Sequence, residues 1–204
     1  MKSQFTHPFV ILASFIISCS VNNSQLKDGD IVFQTSLSSQ SQAIQVATKS
    51  KYSHMGIVLS IDGKKMVYEA VGPVKYTPLS DWIKRGKDRH FVVKRLKNTV
   101  SLLSNVNISK LSSAASSFKG KPYDLIFAWS DEKIYCSEHV WKIYDRALNI
   151  QIGTLQRLRD FDLSNPLVKK KIRERYPNGP PMDEFVISPE QMFQSDLLET
   201  ISTQ

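Results

Sequence analysis

The sequence predicts an α+β fold in which a small antiparallel sheet packs against a helix beginning at Cys136, and two observations carry that prediction. The apolar run 55–61 meets the apolar run 66–71 across Asp62 and Gly63, and an Asp-Gly pair between such runs signals a β-hairpin. After Cys136, the residues Val140, Ile143, Tyr144 and Ala147 recur at helical spacing, so the cysteine opens a helix. With 204 residues, 41% of them hydrophobic and 10% aromatic, the chain is long enough for one compact domain with a real core.

The elements follow in chain order. The domain is expected over 26–204, and "DGDIVF" from Asp28 offers a turn running into an apolar strand. "SSQSQAIQVATKS" places serine caps before a helical stretch holding Ile44, Val46 and Ala47. The hairpin comes next and sets His54 and Glu69 on neighbouring antiparallel strands. Thr77 and Pro78 read as the start of a short helix ending near Gly86, and "HFVVKRL" from His90 alternates like a strand. "ISKLSSAASSFKG" is helical with Gly120 as its terminator, and a loop beginning at Pro122 leads to the Cys136 helix. Beyond Leu148, "NPLVKKKIRERY" and "SPEQMFQSDLLETI" each read as a helix entered through Asn or Ser followed by Pro, separated by the loop "PNGPP". This last part is expected to line or cap the groove around the cysteine.

The formal charge is +8, from 27 basic and 19 acidic residues. The basic residues are scattered, and the densest run, "KKKIRER", reads as one solvated helix face; with no accompanying binding motif, nucleic acid is not an expected partner. The N-terminus is more specific. Lys2 precedes the apolar run "FVILASFIIS", which ends at Ser18 before Cys19 and is too short to span a bilayer. Residues 1–18 therefore read as a signal peptide. "IISC" resembles the lipobox of bacterial lipoproteins, with Ile16 where Leu is commoner, which makes Cys19 the lipid-attachment site and 19–25 a polar tether. The expected location is the cell envelope, with membrane attachment through the N-terminal lipid. Ser20 after the cysteine resembles sorting to the outer membrane in a Gram-negative cell. Cys136 is then the one remaining thiol, without a disulfide partner in the mature chain.

An unpaired thiol in an exported protein asks for a chemical role. A thiolate, the reactive form, is favoured at the first turn of a helix by unpaired backbone N–H groups and the helix dipole. The same N–H groups can receive an oxyanion. A thiol hydrolase also needs a base, and once His7 leaves with the signal the candidates are His54, His90 and His139. His54 is preferred because the next strand presents Glu69 after "MVY", and a carboxylate there can hold the imidazole in the tautomer the nucleophile needs. His139 lies three residues beyond Cys136 on one helix face and could touch the thiol. A zinc site from Cys136, His139 and a carboxylate lacks any standard ligand spacing, so neither a metal nor a cofactor is expected.

The motifs "GDIVF", "SHMGIV", "YEA", "GKPYD" and "YCSEHV" resemble the blocks of the NlpC-type, papain-like cysteine hydrolases, with the cysteine block moved from front to back. That order is similar to the circularly permuted YiiX and YaeF-like group, over residues 28–148. The resemblance implies a papain-like fold in which Cys136 is the nucleophile, His54 the base and Glu69 the orienting residue. Tyr123, in the Pro-Tyr block, would bind substrate or the oxyanion. Glu69 departs from the His, Asn or Gln of unpermuted relatives. The implied reaction is amide hydrolysis through a thioester, in cell-wall-type peptides. Lipid-acting acyl hydrolysis or transfer, and a catalytically silent peptide- or lipid-binding lipoprotein, are the alternatives. An apolar channel by Cys136 would favour acyl chains, and charged or hydrogen-bonding walls would favour peptide.

Overall fold

The computed structural model of the chain describes residues 25–98 and 102–204; the expected signal peptide and the lipid-attachment residue Cys19 lie outside the described residues. The expected hairpin is there. Strands β2 (His54–Ile61) and β3 (Lys64–Glu69) pair antiparallel and close with Ile61 opposite Lys64. Asp62 and Gly63 turn between them with positive φ, at 49° and 73°, the two left-handed positions that a tight hairpin of matching twist requires.

Around this hairpin the chain builds one sheet. β1 (Ile31–Ser36) pairs with β2 on one side and with β5 (Gly86–Leu96) on the other, and β4 (Lys75–Pro78) pairs with β3. Helix α1 (Ser39–Thr48) follows β1, capped by Ser38, whose side chain accepts from the Ser41 N–H. Helix α2 (Leu79–Lys84) follows β4. Past β5 come α3 (Asn105–Ser116) and α4 (Cys136–Leu148), then the short ladder of β6 (Gln156–Arg157) and β7 (Phe185–Val186), with α5 (Pro166–Arg175) between them. Helix α6 (Pro189–Phe193) leads to β8 (Leu198–Thr203), which pairs with β5 and completes the order β4-β3-β2-β1-β5-β8, antiparallel throughout.

Alternation along the strands divides the interior. Phe33, Met55, Ile57, Leu59 and Tyr68 face a core shared with Leu111 of α3 and with Val140, Ile143 and Tyr144 of α4. Val32, Val58, Val67, Phe91 and Val93 face the other side, where α2 lays down Leu79, Trp82 and Ile83. Residues 136–144 of α4 are all buried, including Glu138 and Lys142, which pair at 2.7 Å. Asp30, just before β1, and Arg95 of β5 form a buried bidentate pair at 2.6 and 2.8 Å, tying the start of β1 to β5.

Several expectations change. Residues 198–203 form the edge strand β8 instead of continuing a helix, because the outer edge of β5 offers unpaired backbone groups that Leu198–Thr203 satisfies. Lys75–Pro78 pairs with β3, so the short helix begins one residue after Pro78. β5 begins at Gly86, before His90. Helix α3 stops at Ser116, and Gly120 lies in the turn beyond it with φ 79°. The basic run is helical as expected, capped by Asn165 with Pro166 following, yet it is not simply a solvated face, since Val168 is buried and Lys171, Ile172 and Arg175 line a cleft.

Candidate active site

The strand alternation that makes the two cores also places the polar pair. Ile57 opposes Tyr68, so His54, at the start of β2, and Glu69, at the end of β3, point to the same side of the sheet as Val58 and Val67. Gly56 permits this. A Cβ there would stand 2.5 Å from Val67 Cγ1, closer than real side chains approach, and in tight contact with Glu69 Cβ at 3.3 Å. His54 Nε2 meets Glu69 Oε2 at 2.5 Å, which leaves Nδ1 to face the thiol. Glu69 is fully buried, and its other oxygen accepts from Thr77 Oγ1 at 2.6 Å and from the Arg85 guanidinium. Trp82 backs the imidazole with ring centres 6.2 Å apart.

Cys136 is the first residue of α4 and is 2% exposed. His54, the Tyr123 hydroxyl and the Met55 N–H all act on its sulfur. The Cys136 N–H lies in the first helical turn, where no intrahelical acceptor exists, and it donates to the Tyr123 phenol oxygen.

The electrostatics favour an ion pair. Burial opposes a charge on His54, but the Cys136 sulfur and then the Glu69 carboxylate outweigh it and push its pKa up from 6.5 to about 9. Burial likewise opposes a thiolate, yet His54, the Met55 N–H and Tyr123 hold the Cys136 thiol below its ordinary value. Glu69 stays below the usual carboxylate range, because His54, Thr77 and Arg85 overcome its desolvation. Burial, followed by the charge of Cys136, raises the Tyr123 phenol well above its ordinary value, so it remains a neutral donor.

Cys136, His54, Glu69 and Tyr123 thus come together. His139 does not join them. It is fully buried between the rings of Tyr68 and Phe118, at 5.0 and 5.5 Å, and burial drives its pKa down to about 3. His90 sits on β5. Sequence reasoning missed Thr77 and Arg85. Thr77 opposes Val67 in the register and so shares the face of Glu69, a relation that needed β4 to be recognised as a strand. Arg85, at the end of α2, carries no sequence signal of its own.

Two clefts lie at the site, one lined by Cys136 and the other by His54. One runs beneath α1 and α5 and is walled by Ile44, Phe127, Leu158, Phe161, Val168 and Ile172, so its surface is almost wholly apolar. The other opens beside His54 and is lined by Ser36, Ser38, Gln40 and Ser53 among small apolar residues. The segment after Leu148 therefore does line the groove, as expected.

Residues 25–202 match the family described as permuted papain-like amidase enzyme, YaeF/YiiX, C92 family. A protein of Escherichia coli (strain K12) described as "Uncharacterized protein YiiX" is 44% identical over 195 residues, covering 96% of this chain and 95% of that protein. A crystal structure described as metalloprotein yiiX from Escherichia coli O157:H7 superposes with a TM-score of 0.84 at 48% identity, covering 88% of this chain and 98% of that one. The fold is thus the permuted papain-like one. In this chain the residues around the thiol do not fit a metal centre. Both Glu69 oxygens are engaged by His54, Thr77 and Arg85, and among the described residues no group of three or more His, Cys, Asp or Glu side chains could hold a metal ion.

Proposed function

The chain belongs to the permuted papain-like amidase family, and from that premise we propose that it is a cysteine amidase with Cys136 as nucleophile, His54 as general acid and base, and Glu69 orienting His54. The observation that carries the reading is the buried relay: a thiol at a helix start, an imidazole whose Nε2 is held at 2.5 Å by a carboxylate, and a pKa order that favours thiolate and imidazolium.

The Cys136 thiolate attacks the amide carbonyl and forms the C–S bond. The oxyanion faces the Tyr123 hydroxyl, a donor of the kind whose loss costs on the order of 10²–10³ in rate. Collapse breaks the C–N bond, and the departing amine takes the proton from His54 Nδ1. Neutral His54 then draws a proton from water as the water attacks the thioester, expelling the thiolate and releasing the acid. Glu69 keeps its charge throughout and steadies the imidazolium.

The substrate reading follows the walls. The almost wholly apolar cleft beside Cys136 suits an acyl chain, so a lipid-type or fatty-acyl amide is favoured over the cell-wall peptide expected from the sequence. The "IISC" motif supports a lipid-anchored protein of the cell envelope, placed in the outer membrane if the cell is Gram-negative, where acyl substrates are at hand.

Limiting iodoacetamide, followed by intact mass across pH, tests the chemistry. Rapid alkylation of Cys136 well below pH ~8.5, slowed in His54→Ala, is the expected result. Slow alkylation indifferent to His54 overturns the ion pair and leaves a binding lipoprotein. Mass spectrometry of the intact lipoprotein, with and without Cys19→Ala, tests the anchor.

A further inference from the structure

The cleft that Cys136 lines meets the one that His54 lines at Gln40, Ile44 and Tyr123, and the division between them is chemical. Cys136 and Ser137 line only the apolar cleft, and His54 and Ser53 line only the serine-bearing one. Gln40, Ile44 and Tyr123 line both. In the acylation step the carbonyl carbon bonds to sulfur while the nitrogen must receive its proton from His54. The nitrogen therefore leaves on the His54 side, and the acyl group stays on the Cys136 side.

Resting on the amidase reading above, the geometry points to a fixed substrate orientation: an apolar acyl chain in the α5-walled cleft, a small polar, uncharged amine in the serine-lined cleft, and the Gln40 amide donating to the scissile carbonyl between them. Three observations support it. No Asp, Glu, Lys or Arg lines the His54 cleft, and the His54 imidazolium is already matched by Glu69 and the Cys136 sulfur, so an ionised leaving group finds no free counter-charge there. Its hydrogen-bonding capacity is hydroxyl: Ser36 Oγ accepts from the Ser38 N–H at 3.2 Å, which leaves its own hydrogen for a ligand. Gln40 Nε2 is buried at the junction with no partner, the state of a donor waiting for an acceptor. The apolar cleft has a different character, with Ile172, Val168 and Phe161 along it and the Arg175 guanidinium lying over the Phe127 ring at 5.4 Å.

The experiment uses the soluble full domain, rapid mixing and intact mass to follow formation and decay of acyl-Cys136 separately. Acetyl, octanoyl and hexadecanoyl amides are each tested with ethanolamine, glycine and p-nitroaniline as leaving amines. Ile172→Trp is expected to slow both formation and decay with the hexadecanoyl chain by about tenfold or more while acetyl transfer is spared. Val71→Trp, which narrows the His54 cleft, is expected to slow formation according to the size of the amine and to leave decay unaffected, because the amine has already gone. Ethanolamine amides are expected to acylate faster than glycine amides. Gln40→Ala should slow formation and decay alike without changing the pH profile of alkylation, which a general structural defect would move. If Val71→Trp makes decay depend on chain length, or Ile172→Trp responds to the amine instead of the chain, the orientation is reversed and the proposal falls. Equal effects of Gln40→Ala on alkylation and turnover remove Gln40 from it. Absence of any acyl-Cys136 in a protein that alkylates normally overturns the amidase reading itself, a result distinct from either of these.

Discussion

The sheet end carrying His54 and Glu69 and the segment after Leu148 face the same thiol from different sides, and they are built by opposite means. At the sheet end, charge is buried and closely matched: Glu69 accepts from His54, Thr77 and Arg85, and each partner comes from a different element. The later segment turns Leu158, Phe161, Val168 and Ile172 toward the cleft. It is moored to the start of α4 by Ser137 Oγ donating to the Ile187 carbonyl at 2.7 Å and the Ile187 N–H donating to the Tyr135 hydroxyl at 3.1 Å. Buried ionic contacts are directional and fail together when one partner is removed, whereas apolar walls tolerate changes of shape. The first region is therefore suited to fixing a reaction geometry and the second to choosing what enters it.

The contrast can be broken at its strongest point first. Cys136→Ala should lower amide hydrolysis by on the order of 10⁴-fold or more, with the thermal midpoint kept, because alanine fills the same small apolar space. Survival of hydrolysis would move the chemistry away from α4 altogether. Glu69→Gln should be next, lowering kcat/KM by on the order of 10²-fold near pH ~8. Its sharper signature is pH. His54 is held protonated up to about 9 by its partners, so the ion pair exists below that value and is lost above it. Removing the carboxylate brings the loss to lower pH, and the alkaline limb of kcat/KM should move down toward the ordinary histidine value. An unmoved limb would mean that the thiolate alone keeps the proton on His54.

Arg85→Ala should act in the same direction but more weakly, by about tenfold, since its side chain is 41% exposed and solvent screens much of its effect on Glu69. Added salt should narrow the difference between this variant and the parent. The smallest effect is expected in the wall. Ile172→Ala should change kcat/KM by less than about fivefold, through KM and only with long acyl chains. A loss in kcat as large as that of Glu69→Gln would erase the distinction between the two regions.

Legibility in the sequence follows the same division. The hairpin, the helix opening at Cys136 and the caps at Ser38, Asn165 and Ser188 were readable because each is local: a turn dipeptide, a period or a capping side chain acts within a few residues of itself. Leu198–Thr203 was misread because its helical period is weak and its state is decided by β5, roughly a hundred positions earlier, whose open edge takes it as a strand. Lys75–Pro78 was misread likewise, since Thr77 and Pro78 suit a helix start until β3 supplies partners.

By itself, then, the sequence determined that an activated thiol was to be expected, because the residues that make one (Cys136 at a helix start, His54 and Glu69 on a hairpin) announce themselves through short-range patterns. Only the tertiary structure decided that Thr77 and Arg85 converge on Glu69, that His139 is shut away between two rings, and that a helix with three consecutive lysines turns one face to the thiol. Those outcomes depend on which distant surfaces are left uncovered when the sheet closes, and burial of apolar area against them is a property of the assembled chain.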